Sequence, residues 1–233
     1  MDDSLDYTLK HHSRAKHIRI KVNALGSVEV VAPPGISSFE VQNFVLNNLN
    51  WINRTRDKLK DHRLTDPDFG ITPPNRIQLV ALNQQFNVKY EKCANTRVLQ
   101  DHNHLYVHAN DDEQRCQLLN FWLQQTAKKH LVPWLQQFAK DKNFDVNRIT
   151  VRAQKTRWGS CSAKKNININ RNLLFLPEEL VTYLFAHELS HLVHLNHSAK
   201  FWAHLQTLEP SYRELDTALN IAHKDVPLWA LNS

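Results

Sequence analysis

The strongest chemical signal in the chain is the stretch His187-Glu188-Leu189-Ser190-His191, an H-E-x-x-H pattern. On an α-helix, histidines four residues apart sit one turn apart on one face, so both imidazoles can converge on a single zinc ion. Glu188 lies about a hundred degrees round the helix from His187, where its carboxylate reaches a water beside that ion without having to ligate the metal. Its helical neighbours Leu184, Phe185 and Leu192 are apolar, and a carboxylate among them is expected to have a raised pKa suited to proton transfer near neutrality.

A catalytic zinc takes three protein ligands and leaves one position open. His194 follows His187 by about 10.5 Å of helical rise, too far to share one ion at bonds of about 2 Å, and reads as a neighbour. His197 qualifies if the helix ends near Leu195 and Asn196 takes the left-handed conformation that turns the chain back. Glu209 or Glu214, on a following helix, is the acidic alternative. Ser160 and Cys161 have no general base beside them in sequence and fall in an expected strand, which favours a structural or substrate-lining role. Arg157 with Trp158 has the chemistry to stack on a nucleic-acid base, although a tryptophan beside glycine in a strand suits core packing.

These residues need elements to position them. Pro177 with Glu178 and Glu179 starts the H-E-x-x-H helix well, because proline fits the first turn and the carboxylates face the positive end of the helix dipole. Upstream, Ile149-Thr150-Val151, the stretch through Cys161 and the alternating Asn166-Ile167-Asn168-Ile169-Asn170 predict antiparallel strands. A long helix is expected from Asp111, kinked or split at Pro133. Before it come short β segments at about Ile77 to Leu82, Phe86 to Glu91, Arg97 to Leu99 and Leu105 to His108. The chain begins with a hairpin whose alternating residues run through Ile18, Ile20 and Val22 and then Val28 and Val30, turning at Asn23 to Gly26. Ser37 with Glu40 forms a capping box for one helix reaching about Leu59. The expected fold is α+β, with a β-rich N-terminal lobe carrying one helix over residues 1–109 and a second lobe over 110–233.

Composition narrows the function classes. With 233 residues, 42% hydrophobic and 22% charged, the chain belongs with ordered globular proteins and is long enough for two lobes. No apolar run approaches the roughly 20 residues needed to cross a bilayer. The acidic start Met1-Asp2-Asp3-Ser4 lacks a signal-peptide profile, so a cytoplasmic location is expected. Three cysteines without CxxC spacing suggest reduced thiols rather than disulfides or a thiolate zinc site. The net charge of +6 mildly favours anionic partners, and nucleic acid is carried as a minor alternative to a peptide or protein substrate.

Taken together, Lys155-Thr156-Arg157-Trp158-Gly159-Ser160-Cys161-Ser162, Asn168 to Leu174, His187 to Leu192, and Asn196-His197-Ser198-Ala199-Lys200-Phe201-Trp202 resemble the YgjP-like metal-dependent hydrolases over nearly the whole chain. That family is similar in turn to the zincin domains of SprT-like and WLM proteases. The resemblance implies a zincin-like catalytic lobe, its H-E-x-x-H helix packed on a small antiparallel sheet. It further implies that His187, His191 and His197 bind Zn2+, that Glu188 is the general base, and that Arg157, Trp158, Gly159 and Ser160 form an edge segment holding an extended peptide. Metzincins are excluded, since they carry glycine where this chain has His194 and need a Met-turn, whereas the only methionine is Met1. The expected function is a zinc metallopeptidase. The alternatives are a zinc amidohydrolase acting on a small amide, and a zinc-stabilised nucleic-acid or protein binding module without hydrolytic activity. The oxyanion-stabilising role stays open among Tyr183, His194, His204, Arg157 and Tyr212.

Overall fold

Alternating apolar and polar residues become strands at the start of the chain. In the computed structural model, which describes residues 6–22, 26–63 and 70–231, strand β2 (Arg19–Val22) pairs antiparallel with β3 (Val28–Ala32). This is the expected hairpin, and most of its turn, residues 23–25, lies outside the described residues. A strand without a sequence signal, β1 (Tyr7–His11), lies parallel to β3 on its other side. Helix α1 (Ser38–Asn47) opens with the capping box, Ser37 Oγ accepting from the Glu40 amide at 3.2 Å and Glu40 Oε2 accepting from the Ser37 amide at 3.0 Å. The single helix expected here is two: Asn48 donates its side-chain amide to Phe44 O at 2.8 Å, and a second helix, α2 (Leu49–Arg63), follows. Side-chain competition for backbone acceptors is the usual reason asparagine interrupts helices. Val28, Val30, Ala32, Val41, Val45 and Ile52 form the core of this unit.

The chain divides into two compact units, Met1–Pro67 and Asp68–Ser233. The boundary expected near Ala109 falls inside the second. There, strands β4 (Arg76–Leu79), β5 (Gln84–Glu91), β6 (Arg97–Asp101) and β7 (His104–His108) form a sheet in the order β4-β5-β7-β6. Its buried residues Ile77, Phe86, Leu105 and Val107 share one core with Leu119, Trp122 and Leu123 of helix α3 (Asp112–Asp141). Ala109 itself is fully buried between them. Helix α3 is capped by Asp111, which accepts from the Gln114 amide at 2.8 Å, and it runs unbroken through Pro133. A single proline removes one backbone bond, and here the turns flanking it are buried through Leu131 and Leu135.

The site-bearing part follows. Strands β8 (Arg148–Arg152), β9 (Gly159–Cys161) and β10 (Asn166–Asn170) form a sheet in the order β8-β10-β9. This sheet is mixed rather than antiparallel. β9 and β10 make a hairpin, turning at Lys165 in the left-handed region (φ 58°), and β10 then inserts beside β8 in parallel register. Four helices complete the unit: α4 (Glu178–Ser190), α5 (Ala199–Leu208), α6 (Tyr212–Ile221) and the short α7 (Leu228–Leu231). Among the described residues no helix is long and apolar enough to cross a membrane.

Candidate metal centre

Helix α4 is fixed by its apolar face. Leu180, Val181, Leu184, Phe185 and Leu189 are buried, and Phe185 sits edge-on to Trp134 (5.5 Å) and Phe138 (5.9 Å) of α3. The helix stops at Ser190, earlier than expected, because the next turn tightens: the Leu192 amide bonds to Leu189 O at 3.0 Å and that of Val193 to Ser190 O at 3.1 Å. Asn196 is not among the residues with positive φ, so the expected left-handed cap is absent. The chain nevertheless returns His197 to the helix end, just before α5.

His187, His191 and His197 bring ligand atoms within 4.8 Å of one another. The Nε2 atoms of His187 and His197 are 3.0 Å apart, close to the roughly 3.3 Å separating two nitrogens on a tetrahedral zinc. Phe201, fully buried at the start of α5, packs its ring 5.0, 4.5 and 4.7 Å from those of His187, His191 and His197. Burial, reinforced by the neighbouring histidines, pushes His187 down to about 4, and burial lowers His191 as well. Their rings are therefore neutral at pH 7, the state with a lone pair to give a cation. His191 Nδ1 lies 3.1 Å from His194 O. A carbonyl only accepts, so Nδ1 carries the hydrogen and Nε2 is left free. The donor set, three imidazoles, suits zinc with one position open.

Glu188 is 3% exposed, and its Oε2 has no hydrogen-bond partner among the described residues. Burial pushes its carboxyl up to about 8, opposed by the positive charge of Arg157. Its position depends on a missing side chain: a Cβ on Gly159 would overlap Glu188 Oε1 and lie 2.8 Å from its Cδ. The resemblance implies a substrate-lining role for Gly159; its close approach to Glu188 has no signal in the sequence. A cleft of about 350 Å³ opens here, lined by Arg157, Gly159, His187, Glu188, Asp216 and His223 among others.

The remaining candidates separate. Arg157 is exposed at the cleft. Trp158 is 6% exposed, donates Nε1–H to Leu219 O at 3.0 Å and stacks on His223 at 4.2 Å, so it anchors the segment and has too little free ring to serve as a base-stacking platform. Ser160 Oγ accepts from Asn168 Nδ2 at 3.2 Å. Burial and the charge of Glu188 push the Cys161 thiol up to about 11, which leaves it a poor nucleophile. His194 turns to His204, ring centres 5.9 Å apart. Glu209 accepts from the Ser211 amide at 3.2 Å and Glu214 is exposed on α6; neither belongs to the histidine group. Of the oxyanion candidates, Tyr183 is fully buried with its hydroxyl 2.7 Å from Asp216 Oδ1, and Tyr212 stacks on Trp202 at 5.6 Å. Arg157 is the one that lines the cleft. Asp216, which also faces His187 through Tyr183, carried no sequence signal.

The family described as "YgjP-like, metallopeptidase domain" matches residues 16–222. Two solved structures show partial similarity, both metallopeptidase zymogens: abylysin of Pyrococcus abyssi (23% identity, 38% of this chain and 90% of that one, TM-score 0.35) and jannalysin of Methanocaldococcus jannaschii (23%, 38% and 92%, TM-score 0.34). No curated protein matches.

Proposed function

The chain belongs to the YgjP-like metallopeptidase family, a family of metal-dependent hydrolases, and from that premise we propose that it is a zinc peptidase whose metal is held by His187, His191 and His197, with Glu188 as the general base. The observation that carries this reading is the convergence of three imidazoles beside a buried carboxylate that lines a cleft. Zinc in such a donor set supplies a Lewis acid that polarises a carbonyl and acidifies water to a pKa of about 7.

The chain's own groups do the rest. Glu188 accepts the proton of the attacking water and returns it to the leaving amine, a role suited to a carboxyl that burial and Arg157 together poise near neutrality. The peptide is held along β9. Trp158 O accepts from the Asn170 amide and the Ser162 amide donates to Asn166 O, so by antiparallel alternation Gly159 and Cys161 turn their amide and carbonyl groups to the open edge. An extended peptide adds there as a further strand. To Arg157 we assign the oxyanion, on the support that it is exposed at the same cleft.

Zinc content per chain, measured by elemental analysis on protein purified without a histidine tag, is expected near one and to be largely lost in a folded His191→Ala variant. Glu188→Gln is expected to keep zinc while hydrolysis of a peptide library falls by about 10²- to 10⁴-fold. Absence of zinc after reconstitution would sink the metal assignment. Unchanged hydrolysis in Glu188→Gln would sink the base.

A further inference from the structure

We propose that Tyr183 and Asp216 form a positioning relay that fixes the tautomer of His187, so that Nε2 rather than Nδ1 is presented to the metal. This rests on the ligand assignment above. Tyr183 is fully buried on α4, one turn before His187. Its hydroxyl has a single hydrogen and lies 2.7 Å from Oδ1 of Asp216, on α6. The other oxygen of Asp216 accepts from Asn220 Nδ2 at 3.1 Å. A carboxylate offers only lone pairs, so the tyrosine hydrogen is committed to Asp216.

The same hydroxyl oxygen faces His187 Nδ1 at 3.5 Å. With its hydrogen used, that oxygen can only accept, and the hydrogen between the two groups belongs to Nδ1. The chain of donation runs from His187 Nδ1–H to Tyr183 Oη and from Tyr183 Oη–H to Asp216. Nε2 is then bare, and Nε2 is the atom that points at His197 Nε2 from 3.0 Å. The two ligands on α4 reach the same tautomer by different means. His191 uses a backbone carbonyl, His194 O, which no substitution removes. His187 uses two side chains, one of them from another helix, and its tautomer is open to mutation.

A buried Tyr–Asp bond that only ties α4 to α6 would affect stability alone. The relay makes a further demand, on the proton of His187. Full-length Tyr183→Phe keeps the ring and most of its volume, and Asp216→Asn keeps an acceptor oxygen for the tyrosine. Long-range ¹H–¹⁵N spectra of the metal-free proteins report the His187 tautomer, and competition with a chromogenic chelator reports zinc affinity. The parent is expected to show Nδ1–H. Tyr183→Phe is expected to lose that preference and to weaken zinc binding by about 10- to 100-fold, with Asp216→Asn between the two. An unchanged tautomer with zinc affinity within about twofold of the parent would overturn the relay, even if thermal stability drops. If the parent itself binds no zinc, the metal assignment fails separately, and the spectra still decide: Nδ1–H present in the parent and lost in Tyr183→Phe upholds the relay, and any other pattern overturns it.

Discussion

At Gly159 a hydrogen atom in place of a side chain decides where a carboxylate can sit. Glu188 fills the space that a β-carbon would need, and since it is also 3% exposed it has little room to retreat. Gly159→Ala is therefore expected to displace the carboxylate while leaving the three imidazoles alone. Displacement of a reacting group by about 1 Å can cost on the order of 10²-fold in rate. Peptide hydrolysis should fall by that order while zinc stoichiometry, measured on the same preparation, stays that of the parent. Joint loss of metal and activity would instead place Gly159 in the support of the metal site. The thiol next along the strand but one, Cys161, is pushed up to about 11 by burial and by Glu188, so alkylation by iodoacetamide at pH 7.5 should be slow in the folded protein and fast after unfolding.

At the scale of elements, a buried guanidinium ties the chain's last helix to α3. Arg171, 4% exposed, donates to Asn120 O at 3.2 Å, to Asn120 Oδ1 and to Ala230 O at 3.0 Å, while Asn120 Nδ2 reaches Trp229 O at 2.9 Å. Burial lowers Arg171 only to about 10, so it stays charged at neutral pH. Arg171→Leu would strand several buried acceptors at about 1–3 kcal/mol each, and should lower the urea midpoint and speed hydrogen exchange at Trp229 to Leu231. How far such elements could be read from the sequence depended on the distance over which their cause acts. Helix α4 was legible because Pro177, the two glutamates and the apolar period are all local to it, and His187, Glu188 and His191 came with it. The capping box of α1 was legible for the same reason. The parallel pairing of β8 with β10 was not, because alternation marks a strand without naming its neighbour or direction. The contacts of Gly159 with Glu188 and of Tyr183 with Asp216 join separate elements and leave no periodic trace, so the surroundings of the site stayed invisible even where its donors were plain.

For the molecule as a whole, half-buried histidines set the response to acid. Burial lowers His130, His204 and His223, and takes His187 down to about 4. An unfolded chain binds these protons from about pH 6.5 downward, before the folded one does, so stability is lost as pH falls from about 6.5 toward 4. Glu188 works the other way in metal-free protein: its raised pKa makes the folded state hold a proton that the unfolded state releases between 4.5 and about 8. The histidine effect is therefore read most cleanly in metal-free Glu188→Gln, whose urea midpoint should drop between pH 7 and pH 5. A flat or rising midpoint over that range would contradict the burial assigned to these rings. The placement of the three donors also bears on the order in which the molecule assembles. They lie within ten residues of chain, and closing so short a loop costs little entropy. Glu188, by contrast, needs β9 docked against α4, and the His187 relay needs α6. On the zinc reading, a refolding chain captures its ion early and seats its proton acceptor late, so an intermediate trapped between the two would carry metal yet cleave nothing.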